Sequence, residues 1–456
     1  MLSRSHLVSL ATAAKKQGEV DLILRYNPVV RRKVSRLIAA FERADLHERR
    51  KLTDLLASRA IERARQTRYG RGRSSDYLDW PLLNKDRLRD APDDFACRGS
   101  LRIPAATGGT GGLPIKLWRS PASAAAEQVF LDHIIRPYGV SWASARIASL
   151  RGDVIKDTRD WSPPFGIETH RGRRLVLSSP HLTRTTVSWF AERLSSFRPD
   201  ILWAWPTVAS NLLGLLQQTK TKLNVPLVLA SSERLEPQTH AAMQGEWGAT
   251  VIDYYGQAER VCFAVSSKAG EFWFNPAYGR VELTFSEADE IVDGCRYVAI
   301  VATGFWNRAM PLVRYETGDG AIVPANASES DLEAISLGLQ PFAGIAGRSD
   351  EFLIAPTGER ISGLNQLPRE VDHLLQLQIV QAAPDDVIIR ALVRPSFGAP
   401  EQARLEANAR AKIPDSMAIR LELVDHLETS SRGKTPFVIR NGEMRAWPGF
   451  NGGTHH

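Results

Sequence analysis

Apolar residues in this chain come in short runs, separated by polar, Gly- and Pro-containing connections. From about residue 120 to 345 helical and strand-like segments alternate, the pattern of an α/β unit with a largely buried sheet. Val176-Leu177, Ile201–Trp205, Pro226–Ala230 and Thr250–Tyr254 each end in small or polar residues and read as strands. Ligands of open α/β sheets bind beyond the carboxyl ends of such strands, which directs attention to Ser231-Ser232-Glu233 and to Tyr254–Arg260. Nearer the N-terminus, Val30, Val34, Leu37, Ile38 and Phe41 recur at helical spacing, with Arg31, Arg32, Lys33 and Arg36 on the other side. Trp80–Asp86 reads as a turn into a short helix.

Beyond Gly347 the pattern changes to that of a smaller α+β unit. Phe352–Ile361 predicts a hairpin turning at Pro356-Thr357-Gly358. A helix over Leu364–Leu377 is expected next. A second hairpin at Pro384-Asp385-Asp386, a helix at about 400–412 and a strand Ala418–Val424 complete the unit. Lys434 then falls in Ser430-Ser431-Arg432-Gly433-Lys434, on the loop after that strand.

Composition narrows the class. With 456 residues and 43% hydrophobic content the chain is globular, and its length suggests two or three domains. No apolar run approaches membrane-spanning length, and Met1–Lys16 makes a poor signal peptide. Cys97, Cys262 and Cys295 are odd in number and far apart, which disfavours a disulfide framework or a four-cysteine zinc site and suits a reducing cytoplasm. Gly452–His456 reads as a tag remnant. The net charge of +7 is uneven: residues 1–75 hold 18 Lys/Arg against 7 Asp/Glu, so the remainder is slightly acidic. That basic stretch is expected to be a solvated helical face packed on the body. The sharper alternative is attraction to an anionic partner, although no nucleic-acid motif accompanies the charge.

One stretch is chemically unusual. Thr107-Gly108-Gly109-Thr110-Gly111-Gly112-Leu113-Pro114, followed by Lys116 and Arg119, cannot be helix or strand interior without a large entropic cost. Such a loop presents bare backbone N–H groups and hydroxyls to an anion, or else simply turns a hairpin into the strand Ile115–Trp118. It lacks the Gly-Lys-Ser/Thr ending of a Walker loop.

In order along the chain, this loop, Tyr255-Gly256-Gln257-Ala258-Glu259, Ala309–Asp319, Arg198–Thr207 and the lead-in Leu82–Lys85 resemble the adenylate-forming superfamily. The likeness is to its branch of phenylacetate–coenzyme A ligases and CapK-like proteins, and it runs from about residue 80 to the end. The resemblance implies an α/β fold, with a large N-terminal adenylate-forming domain of layered sheets and a smaller mobile α+β C-terminal domain. The corresponding division is a basic helical region 1–79, the adenylate-forming domain 80–346, and a C-terminal domain 347–451 hinged near Gly347–Glu351.

It implies ATP-dependent, Mg²⁺-requiring activation of a carboxylic acid as acyl adenylate, then transfer to a thiol or amine. Coenzyme A is the default acceptor. An amine or amino sugar, a carrier-protein thiol, and a non-catalytic homologue binding an anionic partner are the alternatives. By this resemblance Thr107, Gly108, Gly109, Thr110, Gly111 and Gly112 cradle the phosphates and Glu259 helps hold Mg²⁺. Asp319 takes the ribose hydroxyls, Arg348 lies near the ribose and α-phosphate, and Tyr255 with Gly256 stacks on adenine beside Ser232 and Glu233. Lys434 bridges the attacking carboxylate and the α-phosphate. Trp205, Thr207 and Tyr254 belong to the acid pocket, whereas Trp203, Trp205 and Trp273 read more simply as core. Two positions depart from the family pattern. Leu113 stands in place of a frequent lysine, a charge that Lys116 is placed to replace, and Ala258 stands in place of a frequent hydroxyl residue.

Overall fold

The computed structural model describes residues 25–107, 115–153, 155–157, 159–285, 291–292, 294–346, 352–358, 360–361, 364, 367–368, 370–425, 427–428 and 437–440. Within them the apolar runs predicted as strands all pair into one eight-stranded sheet. Its order is Glu271–Phe274, Phe263–Lys268, Thr250–Gly256, Leu227–Ser231, Ile201–Ala204, Ile147–Leu150, Arg174–Leu177 and Gly166–Thr169. The five strands from Thr250–Gly256 to Arg174–Leu177 run parallel, with antiparallel strands at both edges. Leu227–Ser231 is buried at every position, as expected for a parallel strand covered on both faces.

Helices cover the two faces. Pro121–Ile135 is buried along most of its length and packs on one face with Ile147, Ile201, Leu229 and Ile252. Val187–Phe197 and Pro206–Gln218 pack on the other. The basic N-terminal segment forms the expected helix, Pro28–Arg43, started by Asn27, whose side chain accepts from the Val29 and Val30 amides. Val34, Ile38 and Phe41 face the core, and Val30 and Leu37 pack beside them. The following helix, Leu46–Ala64, opens on an Asp45/Glu48 capping box.

A second sheet, Gly279–Thr284, Cys295–Gly304, Tyr315–Pro324 and Gly344–Ala346, lies against the turn that follows Thr250–Gly256. The approach is very close: a Cβ on Gly304 would sit 2.4 Å from the Arg260 carbonyl oxygen, so only glycine fits. The lead-in around Leu83 is stitched to this sheet, with Leu83 donating to the Arg314 carbonyl and accepting from the Glu316 amide, both at 2.9 Å. Arg314 is an anchor. Its guanidinium grips Glu282 and reaches the carbonyls of Leu78 and Trp80.

The C-terminal section encloses a core of its own, built from Leu374, Leu377, Ile379, Ile389, Leu405, Ile413 and Met417. The Leu353–Ile354/Arg360–Ile361 hairpin, the turn at 384–385, the helix Ala399–Arg410 and the strand Ala418–Val424 fall where the sequence puts them. The predicted helix Leu364–Leu377 does not form over its second half: Leu374–Ala383 is a strand, paired with Asp386–Val393 on one side and Val438–Arg440 on the other. Leu364, Leu367, Val371 and Leu374 do recur at helical spacing and are buried, but a proline at 368 disfavours an α-helix running through them. Gln378 and Gln381 explain the rest. Both are fully buried and bond to backbone, Gln378 with Glu428 and Gln381 with Ile354, which ties neighbouring segments to the strand.

Candidate active site

The parallel strands deliver their carboxyl ends to one side of the large sheet. After Leu227–Ser231 the chain turns at Ser232, which adopts a left-handed φ of 75°, and Glu233 swings back to the start of the neighbouring helix Pro206–Gln218. Thr207 donates to Glu233 Oε2 through its backbone N–H at 2.9 Å and its hydroxyl at 2.6 Å. A carboxylate at a helix N-terminus satisfies otherwise orphaned donors and the local dipole. Glu233 and Thr207 are thus joined to each other.

The next strand, Thr250–Gly256, places Asp253, Tyr254, Tyr255 and Gly256 along a pocket of about 130 Å³ that Ser232 and Glu233 also line. Tyr255 is one of its lining residues, and its hydroxyl donates to Asp319 Oδ2 at 2.8 Å. Asp319 comes from the second sheet, where its amide donates to the Thr317 hydroxyl. Lys85, at the end of the lead-in, lies beside the adjoining Gly318. Three segments distant in sequence therefore meet at one aromatic ring and one carboxylate.

Sequence reasoning missed Asp253 as a site residue. It stands within the strand, and complete burial pushes its carboxyl up to about 8. Its place one residue before Tyr254 in a strand that ends at the pocket was a legible signal.

Glu259 sits on the tight turn after Gly256. It is 5% exposed, and Tyr315 donates its hydroxyl to Oε1 at 2.6 Å. Among the described residues no partner holds its other oxygen, which leaves one carboxylate oxygen to bind a cation. No group of three or more His, Cys, Asp or Glu side chains suited to a metal occurs among the described residues, so a cation here would draw on Glu259, water and phosphate. The turn itself is clamped from below. Arg260, with φ of 63°, forms a buried ion pair with Glu127, which also accepts from the Tyr278 hydroxyl at 2.6 Å. Arg119 donates to the Ala258 carbonyl at 2.9 and 3.2 Å, and burial, followed by the nearby Arg260 charge, pushes its guanidinium down to about 10. Arg260 thus pairs with Glu127 rather than with its neighbour Glu259.

The Gly-rich stretch is flanked by the antiparallel strands Ile103–Ala106 and Lys116–Arg119. Thr107 closes them, donating its amide to the Ile115 carbonyl at 3.1 Å and accepting from the Ile115 amide on its hydroxyl at 2.8 Å. Gly108, Gly109, Thr110, Gly111, Gly112 and Leu113 lie outside the described residues, as do Arg348 and Lys434. Lys116 follows directly on this stretch, at the start of the strand Lys116–Arg119. It is exposed, paired with Asp93 at 3.3 Å and held over the Trp118 ring.

Trp205 is half-buried, and its ring lies on Gly152, where a Cβ would come within 2.3 Å. Gly152 lines a different cavity, of about 460 Å³, that it, Ser179 and Val208 share with Thr357, Lys412 and Ile413 of the C-terminal section. There Lys412 donates to the Gly152 carbonyl at 2.6 Å. Trp203 packs against the main core, but Trp273 is 38% exposed, so its reading as core is corrected: it lies on an edge strand with one face open.

The two large-section sheets converge on Tyr255 and Asp319. Residues 353–441 match the family described as the CapK C-terminal domain. The chain is 22% identical over 374 residues to Protein CapK of Staphylococcus aureus, covering 79% of each. Similar solved structures include a 2-hydroxyisobutyryl-CoA ligase in complex with 2-HIB-AMP and CoA in the thioesterification state, at 14% identity, TM-score 0.48 and 91% coverage of both chains. Another is a malonyl-CoA ligase with methylmalonyl-CoA and AMP bound, at 15% identity and TM-score 0.34, covering 72% of this chain and 71% of that one.

Proposed function

We propose that the protein uses ATP to activate a carboxylic acid as an acyl adenylate, releasing pyrophosphate, and passes the acyl group to a second nucleophile. The observation that carries this reading is the Tyr255–Asp319 hydrogen bond on the rim of the Ser232–Gly256 pocket. An aromatic face beside a carboxylate rich in acceptor sites matches a nucleoside, base against ring and ribose hydroxyls against carboxylate. Asp253 adds an acceptor for an exocyclic amine. The reaction joins two anions, since a carboxylate oxygen attacks the α-phosphorus as pyrophosphate leaves, so charge neutralisation and alignment dominate. Mg²⁺ would be held by the remaining Glu259 oxygen together with phosphate oxygens. The Thr107–Gly112 stretch, Arg348 and Lys434 enter this reading through the motif resemblance, Lys434 as the charge that meets carboxylate and α-phosphate together. The division at 346/347, with a hinge through Gly347–Glu351, belongs to the same reading.

Coenzyme A is the default acceptor, and an amine or amino sugar is the alternative. A second reading rests on the N-terminal helices. Arg32, Lys33, Arg36 and Arg59 line an open groove, and burial with Arg308, Arg63 and Arg59 nearby lowers the Lys33 ammonium below its usual value. A homologue that binds an anionic partner without catalysis would use that face. Pyrophosphate release from ATP across a panel of carboxylic acids, with and without CoA, separates these. Acid-dependent release supports adenylation. Tight ATP binding with no release for any acid would favour the non-catalytic reading.

A further inference from the structure

A further cavity, of about 230 Å³, lies on the face of the large sheet covered by Pro121–Ile135, next to the ends of the central strands. Arg151 follows the strand Ile147–Leu150, Trp203 is the third residue of Ile201–Ala204, and Gln128 projects from the helix Pro121–Ile135 packed over them. Arg25, Arg151, Arg173 and Arg174 face Asp153 as the one carboxylate among the described lining residues. The aromatic rings are layered: the Arg151 guanidinium sits 3.5 Å from the Trp203 centroid, Trp203 meets Trp142 edge-on at 5.0 Å, and Arg174 covers Trp142.

This cavity contrasts with well-packed protein, where buried polar atoms find partners. Gln128 is 1% exposed, yet neither its Nε2 nor its Oε1 has a hydrogen-bond partner among the described residues. The same holds for the indole Nε1 of Trp203 and for Nε of Arg151. Arg151 is half-buried, and burial lowers its guanidinium from the usual value, while Tyr254 and Asp153 oppose that shift. Tyr254 in turn lines the pocket of Ser232, Tyr255 and Gly256, so the cavity adjoins the proposed nucleotide site. Three unpaired donor groups against one unpaired acceptor call for a ligand rich in acceptors and negative in charge.

We propose that this cavity receives the body of the acid and selects acids that carry a second anionic group, whose oxygens accept from Arg151, the Trp203 indole and the Gln128 amide. The inference rests on the adenylation reading for the fate of the first carboxylate. Recognition of the second does not depend on it. Arg151 and the two amide and indole donors act as specificity groups, leaving the reacting carboxylate to the nucleotide side.

Calorimetry with matched probes tests it: isophthalate against benzoate and succinate against butyrate, each with and without AMP. At least one dicarboxylate should bind roughly ten- to a hundredfold more tightly than its monocarboxylate partner, the range for a charge-assisted hydrogen bond. Arg151→Met should erase that preference while ATP affinity is retained, and Gln128→Met should reduce it. Gln128→Met removes an amide without a partner among the described residues, and Arg151→Met keeps an unbranched apolar stem against Trp203, so the fold should survive. Equal binding within both pairs, as in a cavity that merely holds water, overturns the proposal. So does a preference that survives both substitutions. Pyrophosphate release run in parallel separates the two levels. Dicarboxylate binding without release supports the cavity assignment and defeats adenylation, whereas release with monocarboxylates alone does the reverse.

Discussion

The Ser232–Gly256 pocket, proposed for the nucleotide, and the Arg151 cavity lie close together but are built on opposite terms. In the first, side chains are tied to protein partners before any ligand arrives: Tyr255 to Asp319, Tyr315 to Glu259, Thr207 to Glu233. In the second, Gln128, Trp203 and Arg151 present polar atoms that nothing in the described protein satisfies. A pocket held in place by its own hydrogen bonds suits one unchanging ligand, because little ordering remains to oppose binding. A pocket with open valences suits a ligand that supplies the missing acceptors, and it can discriminate strongly against one that does not.

The comparison can be broken at several points, beginning with the frame beneath the nucleotide side. Arg260→Met leaves Glu127 buried without its cation, and breaking such a pair costs about 3–5 kcal/mol. A large fall in melting temperature is expected, and an unchanged melt would show that the turn carrying Glu259 is not held by this pair. Next in size is Lys434→Ala. Loss of one preorganised charge should slow acyl-adenylate formation by about 10²–10³ while ATP still binds. Acyl-AMP formed at the parental rate removes Lys434 from the chemistry. Asp319→Ala takes away both the proposed ribose acceptor and the partner of Tyr255, so ATP affinity should fall roughly ten- to a hundredfold by calorimetry. Tyr255→Phe keeps the ring and removes one hydrogen bond, so its effect on ATP affinity should be smaller, about two- to tenfold.

A pH series sharpens the contrast further. Asp253 titrates at about 8 when folded and near an ordinary carboxylate when unfolded. Between those values the folded state binds the extra proton, so this group's contribution to stability is full below about pH 4 and is lost as pH rises through about 8. Asp253→Asn should flatten the decline in melting temperature over that window. A decline of unchanged slope would place its cause elsewhere.

Much of this was legible because backbone and chemistry coincide in the motifs. Thr250–Gly256 declares itself as a buried strand by its apolar run and as a ligand edge by Tyr255-Gly256. The lead-in Leu82–Lys85 is stitched to the strand carrying Asp319. Within the same motif, Arg314 is an anchor to Glu282 rather than a lining residue of the pocket. The Leu364–Leu377 helix failed because leucine spacing alone does not register strand pairing, or a glutamine such as Gln378 that is buried by bonding to backbone. The Arg151 cavity left no local trace at all. Gln128, Arg151 and Trp203 come from a helix, a loop and a strand, and only their unmet hydrogen bonds in the folded chain mark them out.

The central claim is most directly tested by acid-dependent exchange of labelled pyrophosphate into ATP, with Asp319→Ala as the paired control. Exchange that appears only when a suitable carboxylic acid is added, and that falls at limiting ATP in the Asp319 variant, is the expected result. Bound ATP that exchanges no pyrophosphate with any acid, dicarboxylates included, would contradict the account.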